Sequence, residues 1–392
     1  MGSRAKWKRN APCHCGSGRK HKQCHGKPPP PPRTPESVTL ERRINEYRRA
    51  MQPTRMTAWP LQIFPHPDGK AIVVGDEWLI VPSNQSFHTS LLNHLRLRLN
   101  EQWIARQDAL QTDDRHVIAS WFESHSGQVA SLDSAAEGKE SIEYMPSGIG
   151  RALLLLADDV VQLAHVKRLD GRLMRRLRGV RSFQGARYEL LVAALFCRAG
   201  FEIEWIAPHA SRKTPEFRVT LRSTGESFVV EAKSIHRPEV LHGSGGGAPP
   251  AMESSLHTLR QFKDALTHAE GDLPLLVFID MNLPAKSWPS SQERQAMMGI
   301  EHELAARAEL GIASEDCSAV FLTNHGWYYR GEEEAAFGGT VTMPIERAKR
   351  PVSGAALERL LVASQESGQI PDEEEYQEFV RQQFPEFRPP GR

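Results

Sequence analysis

The segment TPEFRVTLRSTGESFVVEAKS, residues 214–234, alternates apolar and polar side chains on both sides of a Ser-Thr-Gly-Glu turn. This alternation predicts two strands joined as a hairpin. Because successive side chains of a strand point to opposite faces, Glu231 and Lys233 share one face. Glu216 begins the first strand, so the hairpin brings this carboxylate beside the end of the second strand. The segment therefore predicts that three charged groups meet at one end of a sheet.

The charges at this hairpin end point to chemistry because they close an otherwise apolar strand. Ionised groups in such a position are unfavourable unless they pair with opposite charges or bind metal. Two carboxylates and a backbone carbonyl supply the oxygen ligands that Mg²⁺ prefers. An adjacent lysine could orient or deprotonate a water molecule and stabilise developing phosphate charge. A salt-bridged hairpin end without activity is the alternative.

The elements around the hairpin predict an α/β domain. FQGARYELLVAALFCRAG, residues 183–200, reads as a helix that ends at a glycine. Strand-like FEIEWI follows, and beyond the hairpin SSLHTLRQFKDALTHA is helical, while LPLLVFIDMN and SAVFLTN are apolar enough to be buried strands. The predicted order after the first helix is three strands, a helix and further strands.

Pro-Glu at 215–216, Glu-Ala-Lys at 231–233 and a helical Glu189 together resemble the PD-(D/E)xK phosphodiesterase superfamily. The resemblance covers about residues 180–330. It implies a restriction-endonuclease-like core, in which a mixed central sheet is flanked by helices. One position departs from the family pattern, because Glu216 stands where an aspartate is usual. The side chain is one methylene longer, which bears on metal geometry and activity.

The same resemblance implies a role for each matching residue. Glu216 and Glu231 would bind a divalent metal, Mg²⁺ or Mn²⁺, and Lys233 would serve the attacking water. Glu189 would assist a metal or water. Gln261, on the helix after the hairpin, falls where some members place a glutamine that contacts substrate.

A basic run precedes the Glu189 helix, since residues 165–187 carry eight Lys and Arg against one Asp. Such a one-sided run predicts contact with a nucleic-acid backbone. A solvated helix face is the alternative. The candidate phosphate-contacting residues are Lys167, Arg168, Arg172, Arg175, Arg176 and Arg178.

A second motif lies near the N-terminus, where CHCGSGRKHKQCHG offers two close ligand pairs eight residues apart. The pairs are Cys13 with Cys15 and Cys24 with His25, and together they can hold one tetrahedral ion. The glycines between them allow sharp turns, and a segment this short would take its folding energy from the metal. A disulfide or a redox pair is the alternative.

This stretch resembles the SEC-C motif, a short zinc-binding module found in many otherwise unrelated proteins. The resemblance implies a structural Zn²⁺ and contacts with proteins, ribosomes or nucleic acid. His14 replaces the usual proline between the first two cysteines. For this reason His14 or His21 is an alternative donor.

The domain boundaries follow from changes in composition. PPPPP at 28–32 cannot be helix or central strand and predicts a semi-rigid spacer. The predicted parts are a zinc knuckle at 1–27, a polyproline linker at 28–33, an α+β region at 34–145, a nuclease-like domain at 146–345 and C-terminal helices at 346–392.

Composition excludes some classes of function. The formal net charge of +1 argues against a chain-wide polyanion binder. No stretch reaches the roughly 18 apolar residues of a membrane span, and the basic N-terminus is not a secretory signal. We therefore expect a cytoplasmic protein that does not enter a membrane.

The function we expect is a metal-dependent nuclease with a zinc-binding adaptor. DNA is favoured over RNA, and a role in bacterial defence or restriction follows by analogy at the level of fold. The alternative is a zinc-dependent adaptor that binds nucleic acid, ribosome or a protein and carries an inactive nuclease-like scaffold. The sequence leaves a homodimer open.

Overall fold

The computed structural model describes residues 62–66, 69–74, 77–82, 85–135, 146–166, 168–209, 211–236, 251–269, 273–283, 291–309, 317–324, 340–345, 348–369 and 373. The chain divides into two units, Met1–Met56 and Thr57–Arg392, and every described residue belongs to the second. The predicted zinc knuckle, the polyproline linker and the helix expected after it lie outside the described residues.

A small antiparallel sheet comes first in the second unit. Its strands are β1 Gln62–His66, β2 Gly69–Val74 and β3 Glu77–Val81. The segment AIVVGDEWLIV, residues 71–81, predicts a pair of strands, because Gly-Asp between alternating apolar residues favours a tight turn. The antiparallel pairing of β2 with β3 confirms the two strands, and residues 75–76 lie outside the described residues.

The larger sheet has six strands in the order β4-β5-β6-β7-β8-β9. They are β4 Phe201–Trp205, β5 Phe217–Leu221, β6 Ser227–Ser234, β7 Leu275–Asp280, β8 Cys317–Thr323 and β9 Thr340–Pro344. The β6-β7-β8 pairs are parallel and the others antiparallel. The predicted α/β class, with a mixed sheet flanked by helices, is confirmed.

The described helices are α1 Phe87–Leu99, α2 Glu101–Asp108, α3 Val117–Ala135, α4 Gly148–His165, α5 Gly171–Leu177, α6 Phe183–Arg198, α7 Ala251–Leu266, α8 Ser291–Glu309 and α9 Gly354–Glu366. Helices α7 and α8 lie in the connections between the parallel strands. Parallel strands need both faces covered, and every residue of β7 and β8 is buried. None of the described helices is long and apolar enough to cross a membrane.

Two hydrophobic cores lie against the large sheet. The first packs Phe228, Val230 and Ala232 of β6 with residues of α1, α3, α4, α6 and α9. The second packs Val229 of β6 with α7 and α8, through residues such as Phe262. Because alternate residues of β6 enter different cores, Glu231 and Lys233 lie on the face that carries α7.

The first core extends on both sides of residue 145, across the predicted boundary between the α+β region and the nuclease-like domain. Phe183 at the start of α6 packs edge-on against His116 and Trp121, with ring centroids 5.3 and 5.6 Å apart. Both partners come from the preceding region. Burial of a phenylalanine of this kind contributes roughly 1.5–3 kcal/mol.

The segment HTSLLNHLRLRLNEQWIARQ, residues 88–107, predicts a single helix. This prediction is wrong in one respect, because the structure breaks the helix at Asn100. This residue has a φ of 77°, which ends α1. Its side chain then accepts hydrogen bonds from the N–H groups of Gln102 and Trp103, at 3.0 and 3.2 Å, and so begins α2. Asparagine tolerates the left-handed region and caps helices, so one residue performs both tasks.

Strand β9 and helix α8 were not predicted from the sequence. Helix α8, SQERQAMMGIEHELAARAE, has scattered polar residues and a weak apolar stripe. Strand β9 is only partly buried at the edge of the sheet, so its short apolar content gives little signal.

Candidate active site

The antiparallel pairing of β5 with β6 brings the predicted acidic residues together. The backbone N–H of Glu216 donates to the carbonyl of Val230 at 3.0 Å, which places Glu216 beside Glu231. Glu231 then shares the α7-facing side of β6 with Lys233. The hairpin geometry expected from the sequence is therefore present.

Glu231 lies at the centre of this cluster and is fully buried, with 0% of its surface exposed. Lys233 Nζ lies 2.6 Å from Oε1, and His268 Nδ1 lies 3.2 Å from Oε2. These are ion-pair distances, so the buried carboxylate has a basic side chain beside each of its oxygens. A buried carboxylate requires positive partners of this kind.

The carboxyl of Glu216 has a pKa that is strongly perturbed by its surroundings. Burial, and after it the nearby carboxylates of Glu189 and Glu231, raise the pKa of the Glu216 carboxyl to about 8, against the opposing charges of Arg176 and Lys233. Like charges gathered in a partly dry site are unfavourable without a counter-ion. Perturbed carboxyl groups of this kind are typical of functional sites.

Lys233 is held as an ammonium ion. Burial alone would lower its pKa, but the carboxylates of Glu231 and Asp264 outweigh burial and keep the pKa above its ordinary value. The Nζ to Asp264 Oδ2 distance is 2.9 Å. Of the two roles that the sequence left open, a cation that orients water and stabilises charge fits this environment better than a base.

Glu189 reaches the same cluster from α6, on the other side of the sheet end. It is buried, and both its oxygens are held by Arg176, with Nη1 to Oε2 at 2.6 Å and Nη2 to Oε1 at 2.5 Å. A bidentate pair of this kind fixes the orientation of a guanidinium group. Arg176 is exposed, and its charge acts on Glu216.

The basic run occupies α5 and the residues that flank it. Arg168, Arg172, Arg175 and Arg176 are exposed. Arg172 pairs with Asp170, at 2.9 Å, and its charge acts on Glu216. Arg172 and Arg176 are therefore at the surface beside the acidic cluster.

The remaining members of the basic run differ from these. Arg178 is half-buried, and its guanidinium donates to the carbonyls of Met174 and Leu99, at 3.3 and 3.5 Å, which indicates a structural role. Lys167 lies outside the described residues. The interaction of the run with nucleic acid stays a prediction.

Helix α7 and the turn that follows it contribute residues that the sequence did not single out. Asp264 on α7 and His268 in the turn both contact Lys233. Gln261, which was predicted to contact substrate, is half-buried one turn before Asp264. The spacing of these three polar residues, by three and four positions, is a signal in the sequence for one polar face.

The carboxylates of the cluster are also candidate ligands for a metal ion. Among the described residues, no group of three or more His, Cys, Asp or Glu side chains could hold a metal ion. Mg²⁺, however, is commonly held by one or two carboxylates together with water and substrate phosphates. The neighbouring carboxyls of Glu216 and Glu231 are the residues that could bind Mg²⁺ in that mode.

The fold and this cluster define a mixed α/β chain with a buried arrangement of carboxylates and one lysine at the end of a hairpin. The family described as the SEC-C motif matches residues 9–27. This confirms the resemblance drawn from the N-terminal cysteines. The predicted zinc ligands Cys13, Cys15, Cys24 and His25 lie outside the described residues. No curated protein and no solved structure matches the chain.

Proposed function

We propose that this chain is a metal-dependent nuclease that hydrolyses phosphodiester bonds in nucleic acid, with DNA favoured over RNA. The observation that carries the proposal is the convergence of Glu189, Glu216, Glu231 and Lys233, from a helix and two strands, on one buried spot. The six-stranded mixed sheet supports a restriction-endonuclease-like core, because it places the hairpin beside parallel strands that are covered by helices.

In this proposal Glu216 and Glu231 hold Mg²⁺ or Mn²⁺. The bound ion would polarise the phosphate and lower the pKa of a water molecule. The burial and mutual repulsion that raise the pKa of Glu216 support this assignment, since a cation between the two carboxylates would relieve them.

The chain's own residues then act on the substrate as fixed charges. The ammonium of Lys233 donates to the attacking water or to a phosphate oxygen and stabilises the negative charge that develops there. The water oxygen bonds to phosphorus as the bond from phosphorus to the leaving sugar oxygen breaks. The leaving sugar oxygen takes a proton from solvent, and the attacking water releases one to solvent. The exposed arginines of α5 neutralise flanking phosphates.

The test is cleavage of supercoiled plasmid, single-stranded DNA and RNA in Mg²⁺, with EDTA as the blank. We expect Glu231→Gln and Lys233→Met to lower the cleavage rate by on the order of 10²-fold or more, as loss of a preorganised charge does. Lys263→Met is the matched control, because Lys263 lies on α7 but pairs with Glu303 of α8. Metal-dependent cleavage that persists in both site variants would contradict the proposal.

A second function is favoured by the SEC-C match at residues 9–27. In this reading the chain is a zinc-dependent adaptor that binds nucleic acid, ribosome or a protein, and the α/β unit is a scaffold. The adaptor predicts that Cys13→Ser with Cys15→Ser abolishes binding to a labelled DNA or co-sedimentation with ribosomes. Glu231→Gln would leave this binding unchanged, whereas the nuclease predicts loss of cleavage.

A further inference from the structure

We propose that Lys213 binds the phosphate next to the one that is cleaved, so that the loop between β4 and β5 is a second contact surface for the nucleic-acid strand. The inference rests on the proposed function and adds a phosphate subsite to it. The β4–β5 loop spans residues 206–216, of which residue 210 lies outside the described residues. Neither the basic run before α6 nor the acidic cluster includes Lys213.

The β4–β5 loop starts and ends at the candidate site. The backbone N–H of Ile206 donates to the carbonyl of Glu216 at 3.1 Å, so the two ends of the loop lie side by side. The described residues from Ala207 to Lys213 are exposed. This part of the loop contains Arg212 and Lys213 and no Asp or Glu. The loop therefore presents positive charge close to Glu216.

Asp264 of α7 connects Lys213 to the lysine of the acidic cluster. Lys213 Nζ forms an ion pair with Oδ1 of Asp264, and Lys233 Nζ lies 2.9 Å from Oδ2. The two ammonium groups therefore lie on the two oxygens of one carboxylate. An ammonium group has three N–H donors, so the pair with Asp264 leaves Lys213 able to donate to a phosphate oxygen as well.

The two lysines differ in depth and are separated by a negative charge. The side chain of Lys233 is 17% exposed and that of Lys213 is 53% exposed, so Lys233 is recessed and Lys213 is at the surface. Asp264 lies between their ammonium groups and repels a phosphate that approaches both of them. The two lysines are therefore suited to different phosphates of one strand, Lys233 to the cleaved one and Lys213 to its neighbour.

The arginines of α5 lie on the other side of the sheet end. Helix α5 packs into the first core and α7 into the second. Arg172 and Arg176 act on Glu216 from the side of the first core. Lys213 is held by α7, on the side of the second core. A strand that crosses the sheet end would thus meet positive charge on both sides of the cleaved bond.

The first measurement is the salt dependence of DNA binding by the full chain. A fluorescein-labelled DNA duplex and one of its single strands are titrated in Ca²⁺ and followed by fluorescence anisotropy. Loss of one phosphate contact lowers the slope of log affinity against log salt by about 0.9 for a duplex and about 0.7 for a single strand. From about 50 to 200 mM salt the wild type should therefore lose about threefold more affinity than Lys213→Met.

Two variants control for effects other than the contact. Lys213→Arg keeps the positive charge and should keep the wild-type salt slope. Lys263→Met removes a similarly exposed lysine, which pairs with Glu303 of α8, and should also keep the wild-type slope. Because Lys213 is exposed, its substitution should leave the urea unfolding midpoint close to that of the wild type.

The second measurement separates phosphate binding from a structural effect on Lys233. A contact with an uncleaved phosphate is the same in the ground state and the transition state. Lys213→Met should therefore raise KM for plasmid cleavage in Mg²⁺ by about threefold or more, with little change in kcat. If Lys213 only held Asp264, and through it Lys233, its loss would lower kcat instead.

Two results would overturn the inference. One is a Lys213→Met protein with the wild-type salt slope, and the other is a fall in kcat without a rise in KM. If the wild type binds neither form of DNA, the inference and the nuclease proposal both fail. If the wild type binds DNA but cleaves nothing, the nuclease proposal fails, and the salt slope still decides whether Lys213 contacts a phosphate.

Discussion

Replacing Glu216 by glutamine should stabilise the folded protein at alkaline pH while it removes activity. The carboxyl of Glu216 is ordinary in the unfolded chain, with a pKa of 4.5, and has a pKa of about 8 in the folded state, because of burial and the charges of Glu189 and Glu231. Glutamine keeps the shape of the side chain and cannot ionise. The variant is therefore free of the repulsion that the wild type bears.

The sign follows from proton binding. Between pH 4.5 and about 8 the folded state retains a proton that the unfolded state has released, so the free energy of unfolding falls as pH rises through this window. At about 1.4 kcal/mol per pKa unit, the upper bound is about 5 kcal/mol at pH 9. Solvent and side-chain rearrangement reduce this, and we expect on the order of 1–3 kcal/mol.

The assay is urea unfolding of the wild type and Glu216→Gln at pH 5 and at pH 9, without divalent metal. The variant should be more stable at pH 9, and the difference should shrink at pH 5. Glu358→Gln is the matched control, because Glu358 is exposed on α9 and should change stability by less than about 0.5 kcal/mol.

Magnesium adds a second comparison. At about ten times its dissociation constant, Mg²⁺ should stabilise the wild type by about 1.4 kcal/mol and the Glu216→Gln protein by much less. A variant that is less stable than the wild type at pH 9, or a difference that does not depend on pH, would refute the placement of Glu216 among like charges.

Three further predictions concern other parts of the chain. Arg176→Ala and Glu189→Gln should each weaken the binding of a DNA duplex in Ca²⁺ by about three- to tenfold, measured by fluorescence anisotropy. Their effects should not add, because Glu189 orients the guanidinium group of Arg176. Additive losses of affinity would contradict this. The chain should release about one zinc per molecule to a chromogenic chelator, as a single knuckle implies, and Cys13→Ser should abolish the release; full zinc content in that variant would contradict the ligand set. Asn100→Ala should lower the free energy of unfolding by about 1–2 kcal/mol, because alanine loses the helix cap and is strained at a φ of 77°. Asn100→Gly should lower it by less. Equal losses of the two variants in denaturant titrations would rule out backbone strain.

Local sequence patterns predicted helices and strands correctly where one class of side chain dominates a short segment. Helix α6 ends at Arg198, and Gly200 just beyond it has a φ of 85°, so the expected stop is confirmed. The largely apolar strands β7 and β8 were evident because parallel strands buried on both faces read as nearly continuous apolar runs. Helix α8 and strand β9 gave no such pattern, since their burial depends on neighbours distant in the sequence.

Some residues of the candidate site could likewise be predicted from the sequence, and others could not. The period of two along β6 was enough to place Glu231 and Lys233 on one face, and a short turn was enough to bring Glu216 beside them. Asp264 and His268, the partners of Lys233, could not be predicted, because the position of α7 on the sheet depends on contacts between residues distant in the sequence. The bidentate hold of Arg176 on Glu189 likewise depends on how α5 meets α6.

The sequence by itself therefore determined the α/β class, the hairpin with acidic and basic residues at one end, and the SEC-C motif. Each of these follows from residues that are a few positions apart in the chain. Only the tertiary structure decided that Asp264 and His268 lie beside Lys233, that Lys233 is held as a cation, and that the pKa of the Glu216 carboxyl is raised. These properties arise from burial and from charges brought together across the sheet, and no local pattern carries that information.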